Sequence, residues 1–144
     1  MEIPQPPALG TRHPAGPTPV ASEQHPIPGV GMVVVRDGKV LVGLRRGSHG
    51  AGTWAFPGGN IALWESPAET VARELAEETG MTVTATRPLS FFDCQYPENG
   101  KHFVTLFLEV EADGEPELVE PEKCSEWRFF AWDEIPTPRL RGID

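Results

Sequence analysis

An α/β domain, with a mixed β-sheet covered by helices, is the fold class this chain predicts. Three observations carry the prediction. One strongly marked helix lies between residues 66 and 80. Apolar-rich runs separated by turn signals flank it on both sides, and the first pair reads as a hairpin. The length, 144 residues, is enough for one domain with a real core and too short for two.

Residues 1–28 hold half of the sixteen prolines and no aromatic residue, so they read as an extended or disordered tail. His13 and His25 lie in it and read as solvated, and the folded domain is expected over residues 29–144. Val30 to Val35 and Lys39 to Leu44 are apolar-rich runs split by Arg36-Asp37-Gly38, a hairpin signal. Arg45 to Thr53 reads as a flexible loop because it carries Gly47, Gly50 and Gly52. Trp54-Ala55-Phe56 is a short strand leading into a glycine loop at Pro57-Gly58-Gly59.

The helix follows. Ser66 reads as N-cap, Pro67 as the first helical residue and Glu69 as the closing residue of a capping box. It should run to Thr79 and stop at Gly80. Ala68, Val71, Ala72 and Leu75 are expected to form its packed face. Beyond it, residues 83–85, 89–94 and 103–110 read as strands, with Pro97-Glu98-Asn99-Gly100 as the turn before the last. Residues 111–125 are acidic and irregular, 126–131 return as a strand, and Trp132 to Pro136 begins a short helix or turn.

Glu74, Glu77 and Glu78 stand at i, i+3 and i+4 and are therefore neighbours on one helix face. Two readings of that crowding are open. It is a solvated acidic surface partly neutralised by Arg73 and by Arg45 or Arg46, or it is a set of oxygen ligands for a hard cation. The surrounding pattern decides between them. Gly59, Glu65, Arg73, Glu74, Leu75, Glu77, Glu78, Gly80 and Met81 stand at the spacing G-x5-E-x7-R-E-U-x-E-E-x-G-U, with U aliphatic. At average residue frequencies those fixed positions coincide on the order of once in 10⁹ starts. The spacing is that of the Nudix box, and the chain resembles the Nudix hydrolases.

That resemblance implies an α/β/α sandwich around a mixed sheet, in which the box forms a loop-helix-loop. Since the chain given ends at Asp144, the second helix of that fold is expected to be short, missing or supplied by another element. The resemblance also implies roles. Glu74, Glu77, Glu78 and the carbonyl of Gly58 would hold a divalent metal, magnesium or alternatively manganese. Arg73 would orient box carboxylates, and Glu65 would organise the loop. A general base is expected in the segment from Val119 to Trp127. Glu120 is favoured there and Glu122 is the alternative, Glu120 doubling as a metal ligand. Glu77 or Glu78 could instead activate the water. Gly59, Thr105, Arg45 and His49 are candidate substrate contacts. Phe91, Phe103, Trp127, Phe129 and Phe130 could wall a nucleobase pocket or simply pack. Trp54 and Trp64 read as packing residues.

Similarity beyond the box, in Pro28-Gly29-Val30-Gly31, Gly47 to Trp54, Phe56 to Gly59 and Glu120 to Cys124, is to MutT-related nucleoside triphosphate diphosphatases, in particular the group acting on dGTP and thiopurine nucleotides. It implies hydrolysis of a nucleoside triphosphate to monophosphate and pyrophosphate by a homodimer. The alternatives are an ADP-ribose or nucleotide-sugar pyrophosphatase, for which Pro97 is one weak mark, and a Nudix-fold binding module without turnover. Sensors of that last kind often lose a metal glutamate, whereas this box keeps every one. The formal net charge of −9, with pI near 4.9, opposes sequence-independent binding to nucleic acid or to an anionic membrane. Cys94 and Cys124 make no disulfide framework and read as reduced, which fits a cytoplasmic protein. No apolar run is long enough to span a membrane.

Overall fold

Strand β1 (Ile27–Arg36) organises the molecule because both of its faces are buried. Val30, Met32 and Val34 enter one core with Leu41, Leu108, Val110 and Met81, while Val33 enters a second with Val40, Val42, Trp54, Ile135 and Ile143. A strand buried on both faces needs a continuous apolar run, which GVGMVVV supplies. The computed structural model describes residues 25–47, 50–140 and 143.

Asp37 and Gly38, both at positive φ, turn the chain into β2 (Lys39–Arg45). Such a pair is what a two-residue hairpin turn requires. The remaining strands are β3 (Trp54–Ala55), β4 (Gly58–Asn60), β5 (Thr82–Tyr96), β6 (Lys101–Asp113) and β7 (Cys124–Ala131). Among the described residues they make one seven-stranded sheet in the order β3-β2-β1-β6-β5, with β4 also pairing β1 and β7 also pairing β2. It is mixed: β1 and β6 are parallel from Ile27↔Phe103 to Val34↔Val110, and every other pair is antiparallel.

Helix α1 (Pro67–Thr79) has the expected bounds and both halves of the capping box, and Gly80 closes it in the left-handed conformation. Its packed face differs from the expected one. Val71 and Leu75 are buried, but Ala68 and Ala72 are exposed, and Thr70 and Thr79 are buried in their place. The threonines tolerate burial because their hydroxyls are bonded: Thr70 Oγ1 donates to Glu65, just before the helix (2.7 Å), and Thr79 Oγ1 donates to the Leu75 carbonyl within it (2.7 Å). The rotation turns Glu74 and Glu78 toward the sheet, against β4. Val71 and Leu75 each contribute roughly 1.5–3 kcal/mol by full burial.

Three boundaries also differ. The runs at 83–85 and 89–94 belong to one fifteen-residue strand, β5, that continues past Pro88 by shifting register between Val83 and Ala85 and between Pro88 and Ser90. Gly58 and Gly59 lie in strand β4 rather than in a loop. α1 is the one α-helix among the described residues, and the end of the chain contributes a 3-10 turn at Trp132–Glu134 to the opposite face.

Candidate active site

Two adjoining cavities meet at β4. One is polar, of about 490 Å³, and is lined by Glu74, Glu78, Glu120, Glu122, Lys123 and Trp127 among others. The second is apolar, of about 280 Å³, and is walled by Phe92, Cys94, Tyr96, Phe103, Thr105 and Phe107. Arg45, Ala55, Phe56 and Gly58 to Asn60 line both, so the two form a continuous trough.

The glycines of β4 are required by close approach rather than by backbone angle. A Cβ on Gly59 would stand 2.2 Å from the Glu74 carboxyl carbon, and one on Gly58 would stand 2.5 Å from the Val30 carbonyl oxygen. Glu74 therefore lies directly on the strand. Arg73 fixes the acidic groups around it. Its Nε and one terminal nitrogen grip Glu65 at 2.7 and 2.8 Å, and the other terminal nitrogen reaches Glu74 at 2.8 Å and Glu77 at 3.4 Å. Bonds from Arg73, then from Thr70, hold the Glu65 carboxyl well down, at about 2. Glu65 also accepts from the Ala62 amide and so ties the β4–α1 connection to the helix.

Glu78 has the opposite environment. Burial first, then Glu74 and Glu120, push its carboxyl up to about 8, while an amide bond from Gly58 and the charge of Arg45 oppose the rise. Its Oε2 is buried without a hydrogen-bond partner. Glu120 is delivered from the other side by a turn in which the amides of Lys123 and Cys124 both bond its carbonyl, and Lys123 Nζ reaches its carboxylate at 3.1 Å. The Arg46 amide bonds the Lys123 carbonyl and its side chain bonds the Pro121 carbonyl, which pins this turn to the end of β2.

The trough thus brings together Gly58, Gly59, Glu74, Glu78, Glu120, Glu122, Arg45 and Thr105 of the residues singled out in the sequence. Glu77 is half-exposed, at 51%, outside the lining, and tied to Arg73. His49 lies outside the described residues. Of the aromatic candidates, Phe103 lines the apolar cavity and Trp127 the polar one, while Phe129 and Phe130 pack against the two cores. Phe91 is exposed, and its register partner Leu106 places it on the opposite face of the sheet from the cavity. Trp54 is buried as expected, but Trp64 is 92% exposed at positive φ. Phe92, Cys94, Tyr96, Phe107 and Asn60 escaped the sequence reading. The first three alternate along β5 opposite Thr105, Phe103 and Lys101, a period-2 signal that becomes readable only once the β5–β6 register is known. Both cysteines are free and buried, and burial pushes the Cys124 thiol up.

Among the described residues no three His, Cys, Asp or Glu side chains close on a common point as a preformed metal cage. The donors nonetheless suit a hard cation: they are carboxylate oxygens, one of them buried and unpartnered, in a cleft whose carboxylates oppose each other's ionisation.

Residues 25–143 match the NUDIX domain family. The oxidized purine nucleoside triphosphate hydrolase of Danio rerio is 31% identical over 114 residues, covering 78% of this chain and 71% of that protein. The ADP-ribose pyrophosphatase of Methanocaldococcus jannaschii is 27% identical over 112 residues, with 78% and 66% covered. Among solved structures, a MutT NUDIX hydrolase from Burkholderia pseudomallei superposes with a TM-score of 0.80 at 32% identity, over 83% of this chain and 94% of that one.

Proposed function

This chain belongs to the NUDIX domain family and is a pyrophosphohydrolase of nucleotides, and we propose that it cleaves a nucleoside triphosphate, with magnesium or manganese, to monophosphate and pyrophosphate. The observation that carries the proposal is the trough itself: an acidic cleft opens at β4 into an apolar cavity large enough to receive much of a planar base.

In this reading Glu74, Glu77, Glu78, Glu120 and the Gly58 carbonyl hold the cation. When bound, it neutralises negative charge on the oxygens of the scissile pyrophosphate. The chain's own groups do the rest. Arg73, gripping Glu65 and Glu74, sets the direction of the box carboxylates. Arg45, at the junction of the cavities, is placed to meet a phosphate, with Gly59 beside it. Thr105 offers a hydroxyl to the base among aromatic walls. Glu120 takes the proton from the attacking water, and Glu122, more exposed on the same turn, is the alternative. His49 remains a candidate phosphate contact. Assembly as a homodimer belongs to the same proposal, and the domain is taken to begin with β1 at Ile27, two residues before the boundary expected from the prolines.

Product analysis on a panel of dGTP, dCTP, dTTP, oxidised dGTP, ADP-ribose and a nucleotide sugar tests it. Monophosphate plus pyrophosphate from a triphosphate is the expected result. Release of a nucleoside monophosphate plus a sugar phosphate would move the chain to the diphosphate-linked substrates named for its archaeal relative. No turnover with either metal would leave a binding module.

A further inference from the structure

We propose that Asn60 is a specificity-determining residue: with Thr105 it forms the hydrogen-bonding pair that reads the polar edge of a nucleobase seated in the apolar cavity. The sheet sets the two residues in one lateral row. Asn60 on β4 pairs with Gly29 on β1, Gly29 with Thr105 on β6, and Thr105 with Phe92 on β5. Residues paired across strands project from the same face. The row therefore carries an amide, a gap, a hydroxyl and a ring, and all four residues line the apolar cavity. Gly29 is the gap, and it separates the backbones of Asn60 and Thr105 by two strand spacings, about 10 Å. It has to stay open, because a Cβ on Gly29 would stand 2.9 Å from the Gly59 carbonyl oxygen.

The Asn60 amide lies on the apolar side of the trough. Its oxygen is 3.6 Å from the point a Gly29 Cβ would occupy, and Gly29 lines the apolar cavity but not the polar one. The backbone beneath it is fixed, since the Asn60 carbonyl accepts from Arg73 at 3.3 Å and the Ile61 amide donates to the Pro28 carbonyl at 3.1 Å. Neither the Asn60 amide nor the Thr105 hydroxyl has a hydrogen-bond partner among the described residues, so both are available to a ligand. An amide offers a donor and an acceptor side by side, and a hydroxyl offers either. The polar edge of a nucleobase sets a ring nitrogen beside an exocyclic group and so meets an amide in two bonds. Aromatic walls accept the face of any base, which leaves discrimination to the polar heads beside them.

The assignment rests on the nucleotide reading of the trough and not on which bond is cleaved, so its first test needs no turnover. Metal-free protein is titrated with dGMP, dAMP, dCMP, dTMP and 2-deoxyribose 5-phosphate while the Asn60 side-chain amide resonances, assigned by their loss in Asn60→Leu, are followed. At least one nucleotide should shift them, and the sugar phosphate should leave them in place. No shift with any nucleotide, or an equal shift with the sugar phosphate, would overturn the assignment. The second test is kinetic. Asn60→Leu and Thr105→Val, each close in shape to the residue replaced, should lower kcat/KM for the preferred triphosphate about tenfold relative to 2-deoxyribose 5-triphosphate, and narrow the ranking of the bases. Parallel losses on both substrates would place Asn60 on sugar or phosphate and sink the idea. A wild-type protein that cleaves no triphosphate would remove the proposed reaction and leave the titration to decide this assignment.

Discussion

A carboxyl pushed up to about 8, as that of Glu78 is by burial and then by Glu74 and Glu120, holds its proton more tightly in the folded chain than in the unfolded one. Between about 4.5 and 8 the folded state therefore binds more protons, so the contribution of this group is full below 4.5 and is lost as pH rises through 8. Metal-free protein should lose thermal stability across that window. Glu78→Gln should flatten the loss, raising Tm at pH 8.5 on the order of 5 °C, while turnover falls at least about a hundredfold. Scanning calorimetry in chelator, with and without added magnesium, checks both signs: magnesium should raise the wild-type Tm and leave the variant almost unmoved. Glu65 runs the other way. Its carboxyl is held at about 2, so its stabilisation is present above 4.5 and lost as pH falls toward 2. In Arg73→Gln a carbon-detected NMR titration should find it raised toward the ordinary glutamate range, the Thr70 and Ala62 bonds remaining, and kcat should drop as Glu74 loses its anchor. Gly59→Ala attacks the same anchor sterically. The methyl group has no room beside the Glu74 carboxyl, so it should cost about 1–3 kcal/mol and most of the activity.

Helix α1 divides into a part that secures the element and a part that carries chemistry. Ser66→Ala removes one bond of the capping box, from the Glu69 amide to Ser66 Oγ, and should cost about 1 kcal/mol in urea unfolding with kcat essentially intact. A tenfold loss of kcat would show that the cap also positions the glutamates. The limits of this helix were legible in the sequence because Ser66, Pro67, Glu69 and Gly80 are local signals. Its packed face was not, because Ala68 and Ala72 count as apolar on a wheel while Thr70 and Thr79 count as polar. Their hydroxyls find backbone or neighbouring acceptors only within the folded turn. The strands show the same division. The β1–β2 hairpin is written in Asp37-Gly38, whereas β5 reads as two pieces because a proline and two register shifts interrupt the alternation without ending the ladder. In β4 the paired glycines look like a loop, yet they are small because Glu74 and Val30 press on them.

The acidic half of the trough was almost wholly visible in the chain, since the box places Glu74 and Glu78 on one helix and Glu120 lies in a recognisable acidic segment. The apolar half was not, because its wall is assembled by register: Phe92 meets Thr105 and Cys94 meets Phe103 across β5 and β6. Two halves built by different elements should be separable in kinetics. Cys94→Phe places a ring in the 280 Å³ cavity, remote from the carboxylates. It should raise KM for a nucleoside triphosphate about tenfold or more with kcat little changed, the signature of lost uniform binding. Glu120→Gln should do the reverse, lowering kcat about a hundredfold at nearly constant KM, as expected of a proton acceptor. Because Cys94 lines the apolar cavity and Glu120 the polar one, the double variant should show the sum of the two free-energy changes within about 0.5 kcal/mol. A strongly non-additive result would mean that filling the cavity shifts the phosphates against the carboxylates, in which case base recognition in this protein sets the geometry of cleavage as well as the affinity.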